Sequence, residues 1–89
     1  METEHLREFL ELAKDGSFTK TAARLNLAQS TLSKHVAALE AELGYPLVER
    51  HGGVAGLTPM GSRFLESAQK IDALYRSEMA ALRRASREA

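Results

Sequence analysis

The sequence predicts a mainly α fold: three helices and a small β-hairpin forming one body, followed by a single long C-terminal helix. Three observations predict it. Apolar residues recur at three- and four-residue spacing in successive segments that are closed by Gly16, Asn26 and Gly44. Two short β-compatible runs flank His51-Gly52-Gly53. After Thr58-Pro59 no further proline interrupts the chain to Ala89, which leaves room for a helix of about 40 Å.

The first helix runs from Glu4 to Lys14, with Leu6, Phe9, Leu10 and Ala13 on its apolar side and Thr3 placed to cap it. Asp15-Gly16-Ser17 ends it. Gly16 is free to turn left-handed, and Ser17 can cap a second helix over 18–25 whose Phe18, Ala22 and Leu25 lie toward one side. Asn26 is one of the few non-glycine residues that tolerates a left-handed turn, so Leu25-Asn26-Leu27-Ala28 reads as a tight link between helices.

A third helix covers Gln29 to Leu43. At about 100° per residue Leu32, Val36, Leu39 and Leu43 form one narrow buried stripe. Ser30, Lys34, Ala37, Ala38 and Ala41 lie opposite, Thr31 and Ser33 sit on the shoulders, and Gly44 stops the helix. Tyr45-Pro46 turns the chain into Leu47–Arg50 and Val54–Leu57, which pair economically as a hairpin. Thr58 caps the last helix, with Pro59 at its first position. The expected division is a body over 1–58 and a helix over 59–89.

Composition narrows the class. With 89 residues, 44% apolar and 27% charged, the chain has ordinary globular usage and room for one small core. It has no cysteine, so neither a disulfide framework nor a thiolate metal site is available, which suits a reducing cytoplasm. Met-Glu-Thr-Glu-His is no signal peptide, and no apolar run approaches the roughly 20 residues that span a bilayer. No membrane partner, cofactor or metal is expected.

Net charge is zero, which alone speaks against a polyanion as partner. Its distribution speaks differently. Residues 1–17 carry five acids against two bases, 18–36 carry Lys20, Arg24 and Lys34 with no acid, and 37–49 carry Glu40, Glu42 and Glu49 with no base. A basic stretch between acidic ones marks a localised anion-binding face, although chance segregation explains so few charges equally well.

Two helices joined by a tight turn, the second exposing small polar groups and one cation, form a helix-turn-helix. The second helix must enter a major groove only about 12 Å wide, and small outward residues such as Ala37, Ala38 and Ala41 permit that approach. Near its start Gln29, Ser30, Thr31, Ser33, Lys34 and His35 supply donors and acceptors suited to base edges and phosphates. His35 also flanks the apolar stripe, so packing against the second helix competes with DNA contact. As a pattern alone, the same row also fits the solvated face of an ordinary three-helix domain.

The residues carry more than the pattern. Gly16-Ser17-Phe18-Thr19, Ala22-Ala23-x-Leu25, Gln29-Ser30-Thr31-Leu32-Ser33-Lys34, Leu39-Glu40-x-x-Leu43-Gly44, Leu47-Val48-Glu49-Arg50 and Leu57-Thr58-x-x-Gly61 together closely resemble the N-terminal domain of LysR-type transcriptional regulators of bacteria. The resemblance covers almost the whole chain. It implies a winged helix-turn-helix with helix 29–43 in the major groove of double-stranded DNA, the hairpin as wing and helix 59 onward as the dimerising linker. It further implies Thr19 and Thr21 near phosphate and Arg50 at the wing base. A small-molecule effector would act only through a larger C-terminal domain, no part of which lies in these 89 residues. The chain departs from the pattern at five places: Ala28 stands before Gln29 where Ser is usual, Ser30 replaces a frequent Pro, Lys34 a frequent Arg, Val48 a common Phe, and Gly53 stands where a basic residue is often found.

In the last helix Phe64, Ala68, Ile71, Tyr75 and Leu82 follow three-and-four spacing, joined by Leu65, Leu74 and Met79 on the neighbouring side. Phe64 and Leu65 have the body to cover, but a helix of about 40 Å outruns a core this small. A second copy is the simplest surface for the rest, and two-fold symmetry implies an inverted-repeat site. Enzyme chemistry is not expected. The three His are far apart in sequence, Glu40 and Glu42 point to different sides of a helix and read as solvation, and Ser62 and Ser67 have no positioned base. The rival from another class is a winged-helix protein-interaction module with little DNA affinity.

Overall fold

The computed structural model describes residues 1–88. Its elements are α1 (Thr3–Asp15), α2 (Phe18–Arg24), α3 (Gln29–Leu43), β1 (Val48–His51), β2 (Val54–Leu57) and α4 (Pro59–Glu88), the winged helix-turn-helix and long helix that the sequence predicts. The predicted bounds of α3 and of the second strand are reproduced, and Asn26 takes a left-handed φ of 61° at the turn into α3. Gly16 and Gly44 close α1 and α3 in the same conformation.

The helix starts differ from one another in chemistry. Ser17 caps α2 by accepting the Lys20 N–H at 3.2 Å. Thr3, expected to cap α1, is instead its first residue; Glu2 stands at the cap without a side-chain hydrogen bond. Ala28 precedes α3 and offers no side chain to its free N–H groups.

α1 lies at the centre, in contact with α2, α3, α4 and β2. It therefore buries two sides rather than one. Toward α2 and α3, Leu12 joins Phe18, Ala22, Leu32, Val36 and Ala55. Toward α4 and the wing, Leu6 and Phe9 join Leu39, Leu47 and Ala68. Val48 packs against both clusters. Leu12 lies outside the predicted apolar side, whereas Leu10 and Ala13 on that side are only half-buried.

The hairpin is antiparallel, with Val48 opposite Leu57 and His51 opposite Val54, and turns at Gly52 with φ 63°. Two strands cannot stand alone in water; they are held at their base. Glu40 Oε2 accepts the backbone N–H of Leu47 at 2.6 Å and of Val48 at 3.1 Å. Thr58 Oγ1 donates to the Pro46 carbonyl at 2.6 Å and accepts the Gly61 N–H at 3.0 Å, so one hydroxyl closes the wing and starts α4. Glu40 is thus no solvating residue, as its exposed-helix pattern suggests, but the anchor of the wing. β1 begins at Val48; Leu47, just before it, is buried while its carbonyl accepts the Thr58 N–H at 3.0 Å.

Candidate nucleic-acid interface

One face gathers the ends of α2, the outer side of α3 and the wing. On α3, Gln29, Ser30, Lys34, Ala37, Ala38 and Ala41 are exposed, Thr31 and Ser33 are half-buried, and Leu32, Val36 and Leu39 point into the core. The buried stripe therefore leaves the predicted outer row free, with Leu43 half-covered at its end. Thr19 and Lys20 are exposed at the start of α2. A shallow cleft between α2, α3 and the wing is lined by Phe18, Thr19, Gln29, Arg50, Gly52 and Gly53.

Two residues expected at this face are committed elsewhere, and a third is bonded within it. Thr21 is fully buried and donates its hydroxyl to Asp15 Oδ2 at 2.8 Å, so it braces α2 on the end of α1 and has no hydroxyl proton to offer a phosphate. His35 turns away from the outer row toward α1, not α2: its Nδ1 lies 2.6 Å from Glu8 Oε1 and its ring stacks on His5 at a centroid distance of 4.2 Å. His5 is consequently half-buried. Arg50 does reach the face, but inward along it: its Nη2 donates to Ser33 Oγ at 2.6 Å and its guanidinium lies 3.7 Å from the Phe18 ring centroid.

Electrostatics sharpen the basic stretch. Arg24 is not a free cation; its Nη2 lies 2.8 Å from Asp15 Oδ2 and 3.3 Å from Glu11 Oε2. The hydrogen bonds from Arg24 and then Thr21 hold the Asp15 carboxyl below the usual carboxylate range, and those that the guanidinium donates to Asp15 and then Glu11 raise its own pKa in turn. Among the described residues no ion pair involves Lys20, Lys34 or Arg50, so these three carry the positive charge of this face.

The long-helix residues divide. Ala68 is fully buried against its own chain, beside Leu6, Phe9, Leu39 and Leu47, and cannot form part of a surface offered to another molecule. Phe64 and Leu65 are half-buried on the same core, with Phe64 tilted on Phe9 at 5.7 Å. Beyond them Ile71 is 39% exposed, Leu74 71%, Tyr75 43% and Leu82 56%, with Met79 half-buried. Among the described residues no helix is long and apolar enough to cross a membrane, and no His, Cys, Asp or Glu group is arranged to hold a metal.

Comparisons with known proteins agree with this architecture. A family model described as "Bacterial regulatory helix-turn-helix protein, lysR family" matches residues 3–62. The HTH-type transcriptional regulator BenM of Acinetobacter baylyi is 42% identical over 71 residues, a match covering 80% of this chain and 23% of that protein. The regulator TfdS of Cupriavidus pinatubonensis is 38% identical over 87 residues, covering 98% and 30% respectively. The chain therefore spans less than a third of the length of these curated relatives. Among solved structures, the CbnR_DBD chain of a CbnR_DBD–DNA complex has a TM-score of 0.89 at 35% identity and covers 97% of this chain and 99% of its own. The BenM_DBD chain of a complex with catB site 1 DNA gives 0.88 at 36% identity, covering 97% of each. Matching at both levels, the chain belongs to the lysR family of bacterial regulatory helix-turn-helix proteins, of which it forms the helix-turn-helix domain and the long helix that follows.

Proposed function

We propose that this chain is the sequence-specific DNA-reading part of a bacterial transcription regulator, a binding protein and not an enzyme, which places α3 in the major groove and acts as a homodimer through α4. One observation carries the reading: the outer row of α3 is exposed, rich in small side chains, and headed by Gln29 and Ser30, with Thr31 on its shoulder. It stands on a backbone similar to domains crystallised with DNA.

Roles follow from chemistry. Gln29 presents a donor and an acceptor side by side and suits the two-point edge of adenine, while Ser30, Thr31 and Ser33 bond bases or phosphates. Lys34, with Lys20 and Thr19 on α2, meets phosphate or guanine as a point charge and donor. Residues 1–58 then form the reading unit and 59–89 the linker, whose Ile71, Tyr75, Met79 and Leu82 pair with a second copy. Symmetry places the two reading helices on an inverted repeat. Effector binding belongs to a C-terminal domain outside these residues, and the working compartment is the bacterial cytoplasm.

The test is selection of bound duplexes from a randomised pool by the unmodified chain. Enrichment of an inverted repeat is the expected result. Recovery of unrelated sequences in proportion to the pool would contradict the reading and favour a protein-interaction module.

A further inference from the structure

The wing and α3 meet through a contact that constrains chemistry as well as packing. Arg50 leaves β1 and lays its guanidinium 3.7 Å from the centroid of the Phe18 ring, which is itself buried at the start of α2. Held on that flat support, Nη2 donates to Ser33 Oγ at 2.6 Å, a short charge-assisted bond. Three elements of the candidate interface therefore converge on one hydroxyl oxygen.

A serine hydroxyl has one donor proton and two acceptor positions and ordinarily rotates to suit whatever it meets. Here one acceptor position is taken by a cationic N–H, which polarises the oxygen and turns the remaining proton away from the guanidinium. Among the described residues no hydrogen bond uses Ser33 as a donor, so that proton has no partner within the chain. Ser33 is half-buried on the shoulder of α3, beside the exposed row.

We infer that Arg50 is a specificity-determining positioning residue, which by occupying Ser33 Oγ commits the Ser33 hydroxyl to donate toward DNA. Ser33 then reads an acceptor-bearing base edge, a purine N7, guanine O6 or thymine O4, and discriminates against the amino groups of adenine and cytosine. This rests on the proposed DNA-reading function, and it gives Arg50 a role separate from the direct DNA contact at the wing base that family resemblance implies.

A mutant cycle tests it, using the best duplex selected by the unmodified chain and a panel of single base-pair replacements, titrated at several salt concentrations. Ser33→Ala lowers the preference at one base pair of each half-site by about three- to tenfold, the worth of one hydrogen bond. Arg50→Ala lowers the preference at that same base pair by a similar factor, and the double variant is no worse than either single one. Arg50→Lys keeps the charge and the salt slope but not the flat face on Phe18, and still loses the preference.

Two results overturn the inference. One is Arg50→Ala weakening every duplex equally while the salt slope falls by about one, the behaviour of a phosphate contact. The other is retention of full preference by Arg50→Lys. Should Arg50→Ala lose its cooperative melt, the lysine variant and Ser33→Ala decide the matter by the same criteria. Failure of the unmodified chain to select any sequence would remove the DNA-reading function itself, which is a different outcome from a uniform Arg50 effect.

Discussion

His35 on α3 and Glu8 on α1 are joined by a 2.6 Å contact between Nδ1 and Oε1, although 27 positions separate them in sequence. The pair makes a residue of the reading helix into an internal strut, with Glu8 largely covered and His5 stacked on the far side of the imidazole. Removing the imidazole strands a covered carboxylate. His35→Ala should cost on the order of 1 to 3 kcal/mol of stability and leave base preference unchanged. Thermal melts paired with titrations on matched and mismatched duplexes check this; an unchanged melt with an altered preference at one base pair would place His35 at the DNA after all.

Gly61 sits in the first turn of α4 where the chain passes the Leu47 backbone. A Cβ there would collide with the Leu47 carbonyl oxygen and lie 2.9 Å from its carbon, and backbone on both sides leaves nothing flexible to yield. Gly61→Ala should therefore destabilise the fold by on the order of 3 kcal/mol, through displacement of α4 from the wing base. Denaturant unfolding of the two proteins side by side measures it, and equal midpoints would show that the two segments are farther apart than described.

The Asp15 network makes stability depend on acidity. Arg24 and Thr21 depress the folded carboxyl below its ordinary value of 3.8, so the unfolded chain takes up a proton more readily than the folded one. The contribution is present above that ordinary value and is lost as pH falls through the depressed one. Asp15→Asn should flatten the acid limb of the stability profile at and below about pH 4. Melting curves across that range test the sign, and an unchanged acid limb would mean that the ion pair does not survive in solution.

How much of this was legible follows from what periodicity encodes. Spacing identifies the Leu32, Val36, Leu39 stripe and hence the outer row of α3, because both are properties of one helix. It says nothing about where a polar side chain finds its partner. Thr21, Arg24, His35 and Glu40 each bond a group on another element, and their burial or neutralisation appears only when α1, α2, α3 and the wing are assembled. Ala68 was legible as part of an apolar face but not as core, since its burial depends on α4 crossing α1 four residues beyond Phe64.

The exposed apolar residues of α4 predict self-association. Ile71, Leu74, Tyr75 and Leu82 lie beyond the part of α4 that covers the core, and burying what each still exposes contributes on the order of 1 kcal/mol. The unmodified chain should sediment as a dimer at micromolar concentration, and Ile71→Glu combined with Leu82→Glu should give a folded monomer. A monomer before substitution would contradict the pairing role of α4.

Titration of Gln29→Ala and Lys34→Ala against matched and mismatched duplexes at several salt concentrations tests the central claim, that the outer row of α3 reads DNA, most directly. Neither residue belongs to the buried stripe, so both variants should melt like the parent. Loss of the Gln29 amide should cost about 1 to 3 kcal/mol at one base pair and little elsewhere, changing which sequence is preferred. Loss of the Lys34 charge should weaken binding to most sequences and lower the salt slope by about one. Affinity and preference unchanged in both folded variants would remove α3 as the reading element.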